Sequence, residues 1–203
     1  SDVCSSDLEN TKRDFPFDYE LKIKYTINGD TVTNEYIVTN TGEDKLPFVI
    51  GGHPAFNCPL AKGEKFEDYK VVFDKNITKP CLRPNHHTGL VNVFEKFDEM
   101  HGGDTLSLVH ELFEEKDALI FENCEAKSAT LIGKSGKGVK IEFQDMNNLL
   151  IWSAVGNAPF VALEPWTGLA SCNDEDGLFE HKRGMTVLEK DETASFKFKI
   201  TMI

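Results

Sequence analysis

The chain has 203 residues, 40% of them hydrophobic, which suits one domain with a sizeable core. Its net charge of −12 argues against nucleic acid and anionic membrane surfaces as partners, and its three arginines (Arg13, Arg83 and Arg183) offer no strong phosphate clamp. The cysteines Cys4, Cys58, Cys81, Cys124 and Cys172 are odd in number and form no C-x-x-C pair, as free thiols in a reducing cytoplasm would, and no apolar run is long enough to span a bilayer.

In chain order, the first segment stands apart. Ser1-Asp2-Val3-Cys4-Ser5-Ser6-Asp7-Leu8 has neither core pattern nor helix signal, and it reads as the in-frame translation of a common short-read sequencing adapter. On that reading residues 1–8 are an artefact, and residues 9–203 form a single domain that is the C-terminal portion of a longer one. From Leu21 onward the dominant period is two. Leu21, Ile23, Tyr25 and Ile27 alternate with Lys22, Lys24 and Thr26, the pattern of a half-buried strand. Asn28-Gly29 is a strong hairpin signal, and a return strand over Thr31–Thr39 is rich in Thr, Val, Ile and Tyr.

Asn40-Thr41-Gly42 turns the chain toward a strand over Phe48–Ile50. Further strands are predicted at Tyr69–Phe73, Ala118–Phe121, Ala129–Ile132, Val139–Phe143, Leu149–Ser153, Phe160–Glu164 and Met185–Leu188. The chain closes on an amphipathic strand in which Phe196, Phe198, Ile200 and Met202 alternate with Lys197, Lys199 and Thr201. Helical signal is limited to a short turn around Leu106–Phe113. Many short strands separated by turn residues point to an all-β, antiparallel β-sandwich.

Two places carry chemistry. Gly51-Gly52-His53-Pro54-Ala55-Phe56-Asn57 sets one histidine between backbone-permissive glycines and a φ-locking proline, a specialised backbone for a group that gives or takes a proton near neutral pH. In Phe160-Val161-Ala162-Leu163-Glu164-Pro165-Trp166, period two puts the Glu164 carboxylate on the face of Phe160 and Ala162. Burial there would favour the neutral acid and raise its pKa toward the range useful for a general base, whereas a strand-end glutamate is more commonly solvated. Trp166 beside it offers the aromatic platform on which sugars bind.

Three other patterns are set aside. His110-Glu111-Leu112-Phe113-Glu114 is half of an H-E-x-x-H zinc motif, with glutamate where the second histidine belongs. His86-His87 with Cys81 and His101 matches no standard metal spacing and reads as a polar loop. Gly133-Lys134-Ser135-Gly136-Lys137-Gly138 lacks the phosphate-loop spacing and lies between two strands, so it reads as a hairpin turn.

The chain resembles the aldose 1-epimerase (galactose mutarotase-like) family, in particular its LacX-type branch. The resemblance rests on Phe15-Pro16-Phe17-Asp18, the Gly51–Asn57 motif, Asp117-Ala118-Leu119-Ile120-Phe121, Leu150-Ile151-Trp152-Ser153 and Glu164-Pro165-Trp166, in that order. The histidine and glutamate motifs carry its specificity. It implies a large antiparallel sandwich (a supersandwich) with a sugar cleft on one concave sheet, incomplete here at its N-terminus. It also implies the interconversion of the α and β anomers of a free aldohexose, with Glu164 as general base at the C1 hydroxyl and His53 as general acid at the ring oxygen. Asp117 would bind sugar hydroxyls, Trp152 and Trp166 would wall the ring, and neither metal nor organic cofactor is required. The family's leading strands and a His-Gly-Phe-Ala-Arg type motif have no counterpart here, so the isolated chain is expected to be poorly stable and weakly active. A non-catalytic carbohydrate-binding or sensing domain and a hexose-6-phosphate mutarotase are the alternatives. Sequence leaves the preferred hexose and the oligomeric state open.

Overall fold

Period-two alternation becomes long antiparallel ladders in the computed structural model, which describes residues 3–4, 9–85, 87–114 and 117–203. The first half of the chain holds β1 (Val3–Cys4), β2 (Tyr19–Asn28), β3 (Thr31–Asn40), β4 (Leu46–Phe48), β5 (Ala55–Asn57), β6 (Tyr69–Phe73), β7 (Cys81–Pro84) and β8 (Val91–Phe97). The second half holds β9 (Thr105–Ser107), β10 (Leu119–Phe121), β11 (Ser128–Gly133), β12 (Gly138–Glu142), β13 (Asn148–Trp152), β14 (Phe160–Trp166), β15 (Thr186–Leu188) and β16 (Thr193–Met202). Two short helices, α1 (Glu9–Asp14) and α2 (Glu111–Glu114), complete the inventory of regular elements apart from single 3-10 turns. None is long and apolar enough to cross a membrane among the described residues.

An eight-stranded sheet in the order β1-β2-β3-β16-β12-β11-β6-β9 packs on a six-stranded sheet in the order β5-β14-β13-β10-β7-β8. Their facing residues form the main core. Val71, Phe73, Ala129, Leu131, Ile141 and Phe198 come from the larger sheet, and Leu119, Phe121, Leu149, Ile151, Val161 and Leu163 from the smaller. This is an antiparallel β-sandwich. A separate pair, β4 with β15, covers a third apolar cluster built on Val38, Leu46, Phe48 and Leu188. Cys58, Cys81, Cys124 and Cys172 are free and buried.

Alternation gives the smaller sheet a second apolar face. Odd positions of β10 and β13 point into the sandwich, whereas Leu82, Ile120 and Leu150 point away from it and meet Ala118, Leu169 and Cys172. The cavity lined by His53 and Glu164 lies on this outer face.

Several details depart from the expectations. The β2–β3 turn is Gly29-Asp30, with Asn28 still paired to Thr31 and Gly29 at φ 58°. The strand expected at Phe48–Ile50 ends at Phe48, because Val49 and Ile50 leave β15 and Ile50 bonds to Thr167 instead. Around Leu106–Phe113 only Glu111–Glu114 is helical, since Thr105–Ser107 pairs with β6. Strands β5, β7, β8 and β9 escape prediction because they are short, or carry proline or adjacent charges, and β5, β7 and β9 also depend on neighbours distant in sequence. The adapter reading meets described structure only at Val3–Cys4, which pair with Lys24 and Ile23; residues 1, 2 and 5–8 lie outside the described residues.

Leu131 is fully buried at the centre of the larger sheet, far from the outer face of the smaller one. Replacing it with alanine should cost about 2–5 kcal/mol of stability, read as a lowered urea midpoint.

Candidate active site

The histidine loop is fastened to β14 by its main chain. Ile50 and Thr167 bond reciprocally, the Ile50 amide donating to Thr167 Oγ1 (2.9 Å) and the Thr167 amide to the Ile50 carbonyl (2.9 Å). The Gly52 amide donates to the Pro165 carbonyl (2.9 Å), the Leu163 amide donates to the Pro54 carbonyl (3.1 Å), and Gly51 pairs with Trp166. The indole Nε1 of Trp166 donates to the Gly52 carbonyl at 3.1 Å, which fixes its ring.

Glycine at positions 51 and 52 answers a close approach. A Cβ on Gly51 would run into the Trp166 ring, and one on Gly52 would lie 2.6 Å from Phe198. Neither glycine is among the residues with positive φ, so the need here is room for two aromatic rings rather than the permissive backbone expected from sequence.

This fastening carries His53 to the carboxylate of Glu164. His53 Nε2 lies 3.2 Å from Glu164 Oε1, although the two are 111 positions apart (164 − 53). Their exposures differ sharply, 55% for the His53 side chain against 3% for Glu164. Glu164 is therefore not a solvated strand end, as β14 runs on through Pro165 to Trp166. Its register partner on β13 is Leu150, and Trp152 faces Ala162. Burial, and secondarily the charge of Asp117, push the Glu164 carboxyl up to about 8.

All five residues singled out from sequence line one cavity of about 260 Å³: His53, Asp117, Trp152, Glu164 and Trp166, joined by Ile120 and Leu150 on its floor. The Trp152 ring meets the His53 imidazole edge-on at 5.7 Å and tilts against Phe160 at 5.5 Å. Asp117 enters from the loop before β10 with a left-handed backbone, φ 55°. No lysine or arginine lines the cavity among the described residues.

Sequence reasoning does not single out Arg83, which is 2% exposed and reaches the main chain beneath Asp117. The available signal was an arginine inside the apolar run Cys81-Leu82-Arg83-Pro84. The patterns set aside find other uses. His110 stacks on Phe66 at 3.9 Å, and Glu114 Oε1 accepts the Gly156 amide at 2.8 Å. Residues 133–138 form the β11–β12 hairpin. His86 lies outside the described residues, and among those described no cluster of three or more His, Cys, Asp or Glu side chains is arranged to hold a metal ion.

The carboxyl of Glu164 has a sign-defined effect on stability. Its folded pKa of about 8 lies above the ordinary 4.5, so the stability it contributes is fully present below pH 4.5 and is lost as pH rises through about 8. Glu164→Gln removes the ionisation. Its melting temperature should therefore gain on wild type between pH 5 and pH 9 in thermal denaturation followed by circular dichroism, and a constant gap would contradict the raised pKa.

Residues 2–201 match the model of the aldose 1-epimerase family. The plasmid-borne protein LacX of Lactococcus lactis subsp. lactis is 37% identical over 191 residues, which cover 92% of this chain and 63% of that protein. The chain thus spans less than two thirds of this relative's length. Among solved structures, a galactose mutarotase related enzyme from Lactobacillus acidophilus superposes with a TM-score of 0.88 at 26% identity, over 99% of this chain and 66% of that one. A galactose mutarotase-like protein from Lactobacillus casei does so with a TM-score of 0.82 at 27% identity, over 99% and 68%. The fold is theirs, and by the family match along nearly its whole length the chain belongs to the aldose 1-epimerase family, in its LacX branch.

Proposed function

We propose that the cavity serves an aldose 1-epimerase, interconverting the α and β anomers of an uncharged aldohexose. The observation that supports this most is the His53–Glu164 pair, at 3.2 Å, set among tryptophan walls. A pyranose presents its C1 hydroxyl and its ring oxygen on one carbon, so an acid and a base that nearly touch can address both.

Glu164, as the base, takes the proton of the C1 hydroxyl while His53, as the acid, protonates the ring oxygen. The bond from C1 to the ring oxygen breaks as the carbonyl at C1 forms. Rotation about C1–C2 turns the other carbonyl face to the new hydroxyl. Closure returns one proton to His53 and the other from Glu164 to the sugar, which resets both groups. A positioned acid and base each supply roughly 10²–10⁴-fold, enough for a reaction that water already carries out slowly. Asp117 accepts hydrogen bonds from sugar hydroxyls and Trp152 and Trp166 face the apolar side of the ring, a reading supported by their presence in the cavity lining.

A lining without lysine or arginine favours a neutral sugar over a sugar phosphate. A cytoplasmic setting accords with the four free thiols.

The test is polarimetry on freshly dissolved α-glucose and α-galactose, with protein expressed from its complete reading frame. Glu164→Gln should lose about 10²–10⁴-fold of the acceleration, and a mutant that keeps its rate would remove Glu164 from the chemistry. Saturable sugar binding without anomer exchange would favour the non-catalytic binding domain. In the active protein, kcat/KM should fall as pH rises above about 8, where the Glu164 carboxyl ionises and no longer carries a proton to return to the sugar.

A further inference from the structure

Arg83 sits where a lone cation is costly. It is 2% exposed, between the apolar residues of β7, and its neighbour Pro84 lines the sugar cavity. The β7–β8 ladder shifts register between Cys81 and Arg83, an irregularity of the kind that re-aims a side chain near functional sites. The guanidinium lies under the segment that leads into β10. Nη1 donates to the Leu112 carbonyl at 2.7 Å and to the Asp117 carbonyl at 3.2 Å. Nη2 donates to Glu99 Oε1 at 2.9 Å, and the Phe97 ring lies 5.6 Å away. Among the described residues, Nε is buried without a hydrogen-bond partner.

A buried arginine kept only for packing would be expected to satisfy all its donors. Here the geometry spends one nitrogen on two carbonyls five positions apart (117 − 112) and leaves another donor unused. What those two bonds fix is the span of the loop that ends in Asp117. That residue holds φ 55°, in the left-handed region that aspartate reaches more readily than most non-glycine residues. The Asp117 amide adds a bond to the Phe113 carbonyl at 3.2 Å, closing the same loop from within.

We infer that Arg83 is a positioning residue for sugar binding: its planar fork clamps the Leu112–Asp117 main chain and thereby aims the Asp117 carboxylate into the cavity beside Glu164. The role of Asp117 as a sugar-binding group rests on the function proposed above, whereas the aiming of its charge does not. Lysine cannot replace the fork, because a single ammonium lacks the planar geometry that reaches both carbonyls and Glu99 together.

The experiment combines Arg83→Met, Arg83→Lys, Asp117→Asn and the double variant Arg83→Met/Asp117→Asn. Two readouts are taken, KM against kcat and the titration of the Glu164 carboxyl by carbon-13 NMR. His53 and Asp117 are the ionisable groups that line the cavity with Glu164, and Asp117 supplies the like charge. Arg83→Met should raise KM about tenfold, the worth of one hydrogen bond to a charged group, with a smaller fall in kcat. It should also lower the Glu164 pKa toward the Asp117→Asn value. The double variant should match Asp117→Asn in both readouts.

Arg83→Lys should move both in the same direction by less, and it carries the test if the methionine variant does not fold. A purely structural arginine would lower the melting temperature yet leave the Glu164 titration at its wild-type value and add its full KM effect on top of Asp117→Asn. Either result overturns the inference. Should the Glu164 titration shift as expected in a protein that never exchanges anomers, the mutarotase reading falls and the clamp stands.

Discussion

The site depends on a main-chain seam. Residues 50–54 are hydrogen-bonded along the edge of β14, and this seam, rather than any side-chain contact, brings an exposed imidazole to a buried carboxylate. Everything around it is arranged so that the seam can close. Glycine at 51 and 52 admits the rings of Trp166 and Phe198, the Thr167 hydroxyl satisfies Ile50, and the indole of Trp166 locks onto the Gly52 carbonyl. Backbone bonds tolerate many side-chain changes nearby, but they allow no extra carbon at the two glycines.

The electrostatic character of the cavity follows from which groups the six-stranded sheet exposes on its outer face. Leu150 and Ile120 form an apolar floor, so Glu164 has little to solvate its charge, and Asp117 adds a like charge from the rim. Cations stand off. Lys182 is held by Ser171 and Glu175, Arg183 by Glu122 and Asp174, and Arg83 is turned away beneath the loop. The result is a carboxyl whose pKa is raised first by burial and then by the like charge of Asp117, with the His53 imidazole 3.2 Å away.

Much of this was legible in the sequence, for physical reasons. Alternation in Leu21–Ile27 and Phe196–Met202 reports strands half open to water, and the buried Leu149–Trp152 and Phe160–Glu164 runs report strands covered on both faces. His53 and Glu164 announced themselves through the oddness of their surroundings, two glycines and a proline around one, four apolar residues before the other. What sequence could not give was pairing. The short strands β5, β7 and β9 depend on partners far away in the chain, and β4 ends early because Ile50 finds Thr167. Arg83 stayed hidden for a related cause, since two of its partners are main-chain carbonyl groups, which residue identities do not advertise.

The seam has a kinetic meaning as well. His53 and Glu164 meet across 111 positions (164 − 53), and in between the chain must lay down β6 through β13. Contacts of such long range pay loop-closure entropy before they return any stabilisation, and they tend to form late. Strand β5, three residues at the edge of its sheet, has only β14 to pair with. The His53–Glu164 contact thus belongs with the long-range contacts of the chain, and it depends on the ladders beneath it being in register.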